Sequence, residues 1–299
     1  MSRILALRRA IGQSKAPTVL AFIGSTNIIV VLAAIGLGKK IIISERNDPG
    51  RQSLGTFWDV MRQLFYRRAH LVTANSHVAI SAMAKYDPEK KLRYVRNPIS
   101  RPAPVTWPRA DRQIILSVGR LTEQKGFDVL LRAFANMAQK TPGCRLSIVG
   151  QGPLSSRLHQ QAKDLEIGDR IDWHKNVSDM APHYSGATLF TLASRYEGTS
   201  NALLEAMSFG LPVVVSNACT HQGDPVSHSE NGLCVPINDP VALGSALLKL
   251  ISDPELQQRF GTAAVKSIEP NDADHVLDQW SEIVELSAPP ESVIGAPAA

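Results

Sequence analysis

Two short segments in the second half of the chain carry residue types suited to one chemistry, the handling of a phosphate ester beside a group rich in hydroxyls. In Ser117-Val118-Gly119-Arg120-Leu121-Thr122-Glu123-Gln124-Lys125-Gly126, two cations, Arg120 and Lys125, stand between two glycines, after an apolar run and before a helical pattern. Gly119 and Gly126 reach backbone conformations closed to other residues. A strand-to-helix junction already attracts anions, because the unpaired amides at a helix start carry partial positive charge. The pair is a candidate phosphate site that needs no metal. The second segment, Arg195-Tyr196-Glu197-Gly198-Thr199-Ser200-Asn201-Ala202-Leu203-Leu204-Glu205, puts one carboxylate ahead of a helix and another just over one turn inside it. Thr199 or Ser200 is the candidate cap, and Gly210 with Pro212 the stop. The amides of Gly198 to Asn201 are then left to bind phosphate, with Glu197 and Glu205 on either side of it. An ionised carboxylate accepts two hydrogen bonds at once, which suits a pair of sugar hydroxyls. Taken singly, basic residues at a turn are ordinarily solvated, and glutamates near a helix start are ordinarily held there by its dipole.

A weaker signal is Val149-Gly150-Gln151-Gly152-Pro153. It lacks the third glycine and the acidic ribose partner of a dinucleotide fingerprint, which counts against a dinucleotide-dependent oxidoreductase and leaves a tight loop at the same end of the sheet. His221, Asp224 and His228 form a lesser polar group in the loop after Cys219. The three cysteines, Cys144, Cys219 and Cys234, form no C-x-x-C pair and have no histidine at ligand spacing. A reduced protein with no metal and no cofactor is expected.

The elements that must position these residues are legible as an alternation. In the first half the order is a strand TVLAFIG from Thr18, a helix NIIVVLAAIGLG, a strand KIIIS, a helix around Phe57 to Arg68, a strand His70 to Ala74, a helix after Ser76 and a strand Leu92 to Val95. In the second half strands are expected near Gln113–Val118, Arg145–Val149, Arg170–Trp173, Thr188–Leu192, Pro212–Ser216 and Leu233–Val235, with helices in the gaps. One of these, Phe127 to Gln139, carries Leu130, Leu131, Phe134 and Met137 on one side. Short continuous apolar strands between helices indicate buried parallel sheets. The predicted class is α/β, with two Rossmann-like doubly wound domains facing a cleft, and ligands at the carboxyl ends of strands. The expected boundaries are a first domain at 1–108, a second at 109–268, a last helix at 269–288 packing back on the first domain, and a disordered Pro/Ala-rich tail at 289–299. The proline-rich segment Ile99 to Ala110 is the expected linker.

At 299 residues and 44% hydrophobic content the chain can fill two cores, and 20% charged residues excludes disordered and coiled-coil classes. The longest apolar stretch, Ile28 to Gly38, is well short of the ~20 residues that cross a bilayer. No secretory signal pattern follows the basic start, so a cytoplasmic location is expected. Charge is uneven: residues 1–108 hold 17 Lys+Arg against 5 Asp+Glu, and residues 109–299 hold 15 against 22. A solvated face is one reading; the sharper one is peripheral contact of the first domain with an anionic membrane. Nucleic acid is disfavoured, because the basic residues are not interleaved with stacking aromatics or a recognition motif.

In their order, SVGRLTEQKGFDVLLRAF, LSIVGQGP, SRYEGTSNALLEAMSFGLPVVVSN and NGLCVPIND resemble the retaining glycosyltransferases of family 4, also called group 1, which have the GT-B fold. The resemblance spans residues 111 to about 268, and upstream IIISERNDP, VTANS and VRNPIS resemble the later part of that family's first domain. It implies a nucleotide-sugar donor, UDP-linked hexose or N-acetylhexosamine, and a glycan or polyprenyl-linked acceptor in bacterial surface glycan synthesis. It also implies that Arg120 and Lys125, with Gly119 and Gly150 beside them, hold the diphosphate. Glu197, with Gly198, Thr199, Ser200 and Asn201, meets the transferred sugar and phosphate, and Glu205 the ribose; Glu197, Arg120 and Lys125 are the implied catalytic residues. No metal is implied. Three features depart from the family. Its opening strand and glycine-rich loop have no counterpart ahead of Thr18, so an incomplete first domain is expected. Glu45-Arg46 stands where many members carry His, and Lys175 stands where Gly is usual, which bears on base recognition. The alternative reading is a non-catalytic fragment that binds the nucleotide sugar.

Overall fold

The computed structural model describes residues 2–51, 54–84, 92–100, 102, 113–219 and 224–286. These form two compact units: the first takes the residues up to Asn75, from Ala79 to Val95 and from Leu277 onward, the second Ser76–Val78 and Arg96–Val276. Most of the expected linker, at 101 and 103–110, and the expected tail at 289–299 lie outside the described residues.

The first unit runs α1 (Ser2–Gln13), β1 (Thr18–Phe22), α2 (Gly24–Ala34), β2 (Lys40–Glu45), α3 (Thr56–Tyr66), β3 (Leu71–Ala74), α4 (His77–Met83), whose first turn belongs to the second unit, and β4 (Leu92–Tyr94). The strands make one parallel sheet in the order β1-β2-β3-β4. Ile41, Ile42 and Ile43 of β2 are all buried, as a strand covered on both faces requires. Ile28 and Val31 of α2, Tyr66 of α3 and Val72 of β3 join Ile41 and Ile43 in the core. Arg8 of α1 donates to the carbonyls of Ala33 and Ile35 at 3.0 and 2.5 Å, satisfying the carbonyl end of α2.

The second unit runs β5 (Ile114–Val118), α5 (Phe127–Ala138), β6 (Arg145–Val149), α6 (Ser155–Asp164), β7 (Ile171–His174), α7 (Ala181–Gly186), β8 (Leu189–Leu192), α8 (Asn201–Ser208), β9 (Val213–Ser216), β10 (Gly232–Val235), α9 (Pro240–Ile251) and α10 (Pro254–Ser267). A last helix, α11 (Ala273–Leu286), crosses from this unit to the first. Within the first unit its Trp280 meets Phe22 edge-on, ring centroids 5.7 Å apart.

The six strands of the second unit are parallel, in the order β10-β9-β8-β5-β6-β7. Alternate residues serve opposite faces. Ile115, Leu189 and Val214 pack with Leu130, Phe134, Leu158 and Leu247. Leu116, Phe190, Val213 and Val215 pack with Tyr184, Leu204 and Met207. From β5 the chain builds outward through β6 and β7, then returns to lay β8 on the other side of β5. The strand order therefore reverses between β5 and β8, and a doubly wound sheet opens its ligand crevice at the carboxyl ends of such a pair. The Gly119–Gly126 segment follows β5 and the Ser194–Ser200 segment follows β8.

Candidate functional site

Tight backbone packing holds the turn after β5. The Gly119 amide donates to the Val149 carbonyl and the Gly150 amide to the His174 carbonyl, joining the ends of β5, β6 and β7. A side chain at Gly150 would put its Cβ 1.9 Å from the Gly119 carbonyl oxygen. Gly126, at φ 63°, opens α5, and a Cβ there would fall 2.1 Å from the Ala193 carbonyl oxygen at the end of β8. Glycine at these two places lets three strand ends close on one another.

Lys125 ends a 3₁₀ turn, Glu123–Lys125, ahead of α5. Its Nζ lies 2.5 Å from Glu197 Oε1, and the Ser194 hydroxyl donates to the same oxygen at 2.7 Å. The Glu197 side chain is 6% exposed and that of Lys125 17%, so the pair is largely removed from water. Both contacts fall on Oε1, which leaves Oε2 to accept from a further donor. Arg120 is exposed, and its guanidinium has no hydrogen bond or ion pair among the described residues.

Other contacts between the two segments fix this pair. Arg195 binds Asp128 with two parallel hydrogen bonds, 3.0 and 2.8 Å, and donates to the Glu123 carbonyl at 2.5 Å. The Arg195 amide donates to the Gln124 carbonyl, and Gln124 Nε2 to the Tyr196 carbonyl at 3.0 Å. Burial works to raise the Asp128 carboxyl, but the Arg195 guanidinium outweighs it and holds the group below its ordinary value.

At the start of α8, Ser200 takes the cap position with extended backbone, φ −76° and ψ 120°, yet its hydroxyl makes no capping bond. Asn97 braces this turn through its acceptors and does not cap the helix amides. Its Nδ2 donates to the Thr199 carbonyl at 3.1 Å and to Asn201 Oδ1 at 2.6 Å. Asn97 is held in turn by Asn271, whose Nδ2 donates to its carbonyl at 3.0 Å. The amides of Gly198, Ser200 and Asn201 donate to no acceptor among the described residues. Glu205, one turn into α8, accepts from the Tyr184 hydroxyl on Oε2 at 2.7 Å. Burial, then this carboxylate, pushes the Tyr184 hydroxyl well above its ordinary pKa, so it stays a donor.

Lys125, Glu197 and the open amides of α8 thus come together, with Glu205 further along the same helix. His228 is occupied in its own loop, accepting from the Cys234 amide at 3.0 Å, and His221 lies outside the described residues. Cys219 is buried where Glu197, Lys125 and Asp224 all act on it; burial first, then the Glu197 charge, drives its thiol well up. Lys175 is exposed just beyond β7, where the His174 and His183 rings meet edge-on at 4.7 Å. Burial and the His174 charge lower the pKa of His183. Sequence reading gave no role to Arg195 and Asn97, which lie in the quoted segments, and did not single out Asp128, Asn271 or Tyr184; the available signal for the last group was an acidic residue, Asp128, in the first turn of α5.

In the first unit a polar group is buried at the end of β2. Glu45 is 3% exposed and accepts from the Tyr66 hydroxyl at 3.0 Å, and Asn27 Nδ2 donates to Tyr66 at 3.2 Å. Burial raises the Glu45 carboxyl against the opposing pull of Tyr66 and Arg62. The Arg46 guanidinium lies over the rings of Phe22 and Trp280, 4.8 and 5.8 Å from their centroids. Among the described residues no three His, Cys, Asp or Glu form a metal-holding group, and no helix is long and apolar enough to cross a membrane.

Residues 105–267, more than half of the chain, match the family model described as glycosyl transferases group 1. A Campylobacter jejuni relative named as an α-1,4-N-acetyl-D-galactosaminyltransferase acting on a diphosphoundecaprenol-linked saccharide is 24% identical over 94% of this chain and 78% of its own length. The crystal structure of Anabaena HepE in complex with UDP-glucose superposes with a TM-score of 0.86 at 18% identity, covering 95% of this chain and 82% of that one. TarM of S. aureus superposes with a TM-score of 0.81 at 14% identity. The chain spans 57% of the TarM length. These likenesses give the fold as GT-B.

Proposed function

This chain belongs to the group 1 glycosyltransferases, and on that premise we propose that it moves a hexose or N-acetylhexosamine from a UDP-linked sugar to a glycan or polyprenyl-linked acceptor, with retention of anomeric configuration. The reading places this reaction in bacterial surface polysaccharide synthesis, in the cytoplasm at the inner face of the membrane. Residues 109–268 take the donor and residues 1–108 the acceptor. The observation that carries the reading is the meeting of Lys125, Glu197 and the open amides of α8 at the strand-order reversal. The UDP-glucose bound in HepE and the polyprenyl-linked substrate in the name of the C. jejuni relative support the choice of donor and acceptor.

In this reading the donor diphosphate lies against the α8 amides, with Arg120 and Lys125 as counter-charges. A diphosphate competes with Glu197 for the Lys125 ammonium, which frees Oε1 for a hydroxyl of the transferred sugar. Glu205, fixed by Tyr184, accepts from the ribose hydroxyls. As the bond from the anomeric carbon to the diphosphate oxygen breaks, negative charge gathers on that oxygen and the two cations stabilise it. The acceptor oxygen bonds to the same face of the anomeric carbon, and its proton passes to the departing diphosphate. The reading uses no metal and no cofactor.

The test is incubation with a panel of UDP-sugars and a polyprenyl-diphosphate-linked saccharide, with product linkage read by NMR. An α-linked product from an α-linked donor, lost in Glu197→Ala, agrees with the reading. A β-linked product, or transfer unaffected by the substitution, overturns it.

A further inference from the structure

Three elements of the first unit bring two aromatic rings and an arginine together at the carboxyl ends of its strands. Phe22 closes β1, Arg46 follows β2, and Trp280 comes from α11. The Phe22 and Trp280 rings meet edge-on at 5.7 Å, and the Arg46 guanidinium carbon lies 4.8 and 5.8 Å from their centroids. Phe22 is 37% exposed, its neighbour Ile23 is 60% exposed, and Arg46 and Trp280 are half-buried. The cluster is therefore open to water, unlike Tyr66, which anchors the core of the same unit and is fully buried.

The backbone that carries these side chains is fixed. Glu45 Oε1 accepts from the Arg46 amide at 3.1 Å while Oε2 takes the Tyr66 hydroxyl at 3.0 Å, so a buried carboxylate holds the start of the loop after β2. The Ile23 amide donates to the Ser44 carbonyl at 3.1 Å, and Ile23 sits at φ 76°, a value that a β-branched side chain rarely adopts. Strain of this kind persists where surrounding contacts impose it, and it collects at ligand-binding turns. A doubly wound sheet offers ligands the carboxyl ends of its strands. Aromatic rings beside one fork of N–H donors suit a ligand that is apolar on a face and rich in acceptor oxygens at its rim. A pyranose ring has that form, since its axial C–H groups make one face apolar and its hydroxyls stand around the edge. A phosphate or carboxylate would use the arginine and gain nothing from the rings, and an acyl chain would use the rings and gain nothing from the arginine.

We propose that Phe22, Arg46 and Trp280 form a saccharide-binding platform in the first unit, on which a pyranose ring of the acceptor stacks while Arg46 donates to its hydroxyl oxygens. This deepens the proposed function and rests on it for the acceptor being a glycan; it adds Trp280, from the last helix, to the acceptor side.

Two measurements separate this platform from the donor reading. A panel of free hexose and N-acetylhexosamine disaccharides is tested against the purified chain by saturation-transfer NMR, and UDP affinity is measured by titration calorimetry on the same samples. At least one disaccharide is expected to bind, with saturation strongest on the ring protons of one pyranose face. Trp280→Ala is expected to weaken that binding about tenfold, Arg46→Gln about fivefold, and Trp280→Phe, which keeps a ring, by no more than about threefold. All three should leave UDP affinity unchanged. Should far-ultraviolet circular dichroism show that Trp280→Ala has lost its fold, the milder Trp280→Phe and Arg46→Gln decide the matter. The proposal is overturned if no disaccharide of the panel binds, or if Arg46→Gln and a folded Trp280→Ala bind as the wild type does. It is overturned equally if Trp280→Phe, with its fold intact, abolishes binding. Loss of UDP binding with disaccharide binding intact would count against the donor site and not against this platform. A chain that binds both and transfers nothing would count against the proposed function alone.

Discussion

Lys125→Met removes the ammonium and keeps most of the side-chain length. It leaves the Glu197 carboxylate, 6% exposed, with the Ser194 hydroxyl as its remaining partner at Oε1. Breaking a dry ion pair from one side costs about 3–5 kcal/mol, and the 17% exposure of Lys125 moves the expectation to about 2.5 kcal/mol. Glu197→Gln should cost less, about 1.5 kcal/mol, because Lys125 can turn its charge to water. With both replaced no buried charge is left unpaired, so the double variant should lose about 2 kcal/mol, well below the sum, a coupling of about 2 kcal/mol. Urea unfolding followed by far-ultraviolet circular dichroism measures the four corners of this cycle. Additive losses, or a Lys125→Met variant as stable as the wild type, would refute the claim that the two segments are locked through this pair.

Other outcomes follow from the same contacts. Gly150→Ala should cost about 3 kcal/mol or more in thermal or urea unfolding, because its Cβ would overlap the Gly119 carbonyl, whereas Gly143→Ala, with nothing within 4 Å, should be near neutral. Asn97→Ala should weaken UDP binding by about fivefold in calorimetry through a misplaced α8 start, with Asn97→Asp failing to restore it, since the amide donates to both the Thr199 carbonyl and Asn201. For Glu45, the folded state raises the carboxyl above its ordinary 4.5, so the folded protein holds the proton more tightly and its stability falls as pH rises from there through the raised value. Melting of Glu45→Gln against wild type should therefore show the variant gaining at pH above that window and losing the advantage below 4.5; a pH-independent difference would contradict the burial argument.

The strands were legible because a parallel sheet covered on both sides needs continuous apolar runs, and KIIIS, RLSIV and VVVS are such runs bounded by polar turns. The positions of the two segments at strand ends were legible because glycines and a polar run follow each apolar strand. What holds those segments was not. Lys125 meets Glu197 across 72 residues, Arg195 meets Asp128 across 67, and Asn97 meets Asn201 across 104. Sheet order decides the first two, and local pattern does not encode the placement of β8 beside β5. Ser200 makes no capping bond, and a distant asparagine braces the turn through the Thr199 carbonyl and Asn201 Oδ1 instead, a contact that local sequence does not encode. The meeting of Phe22, Arg46 and Trp280 was equally hidden, because it gathers a strand end, a loop and the last helix from places far apart in the chain.

The central claim is that one site handles the diphosphate through Lys125 and the sugar through Glu197. Titration calorimetry of UDP and of a bound UDP-sugar against wild type, Lys125→Met and Glu197→Gln tests it most directly. The account predicts that Lys125→Met weakens both ligands by about tenfold or more, whereas Glu197→Gln weakens the UDP-sugar and spares UDP. Unchanged UDP affinity in Lys125→Met, or equal losses for both ligands in Glu197→Gln, would contradict it.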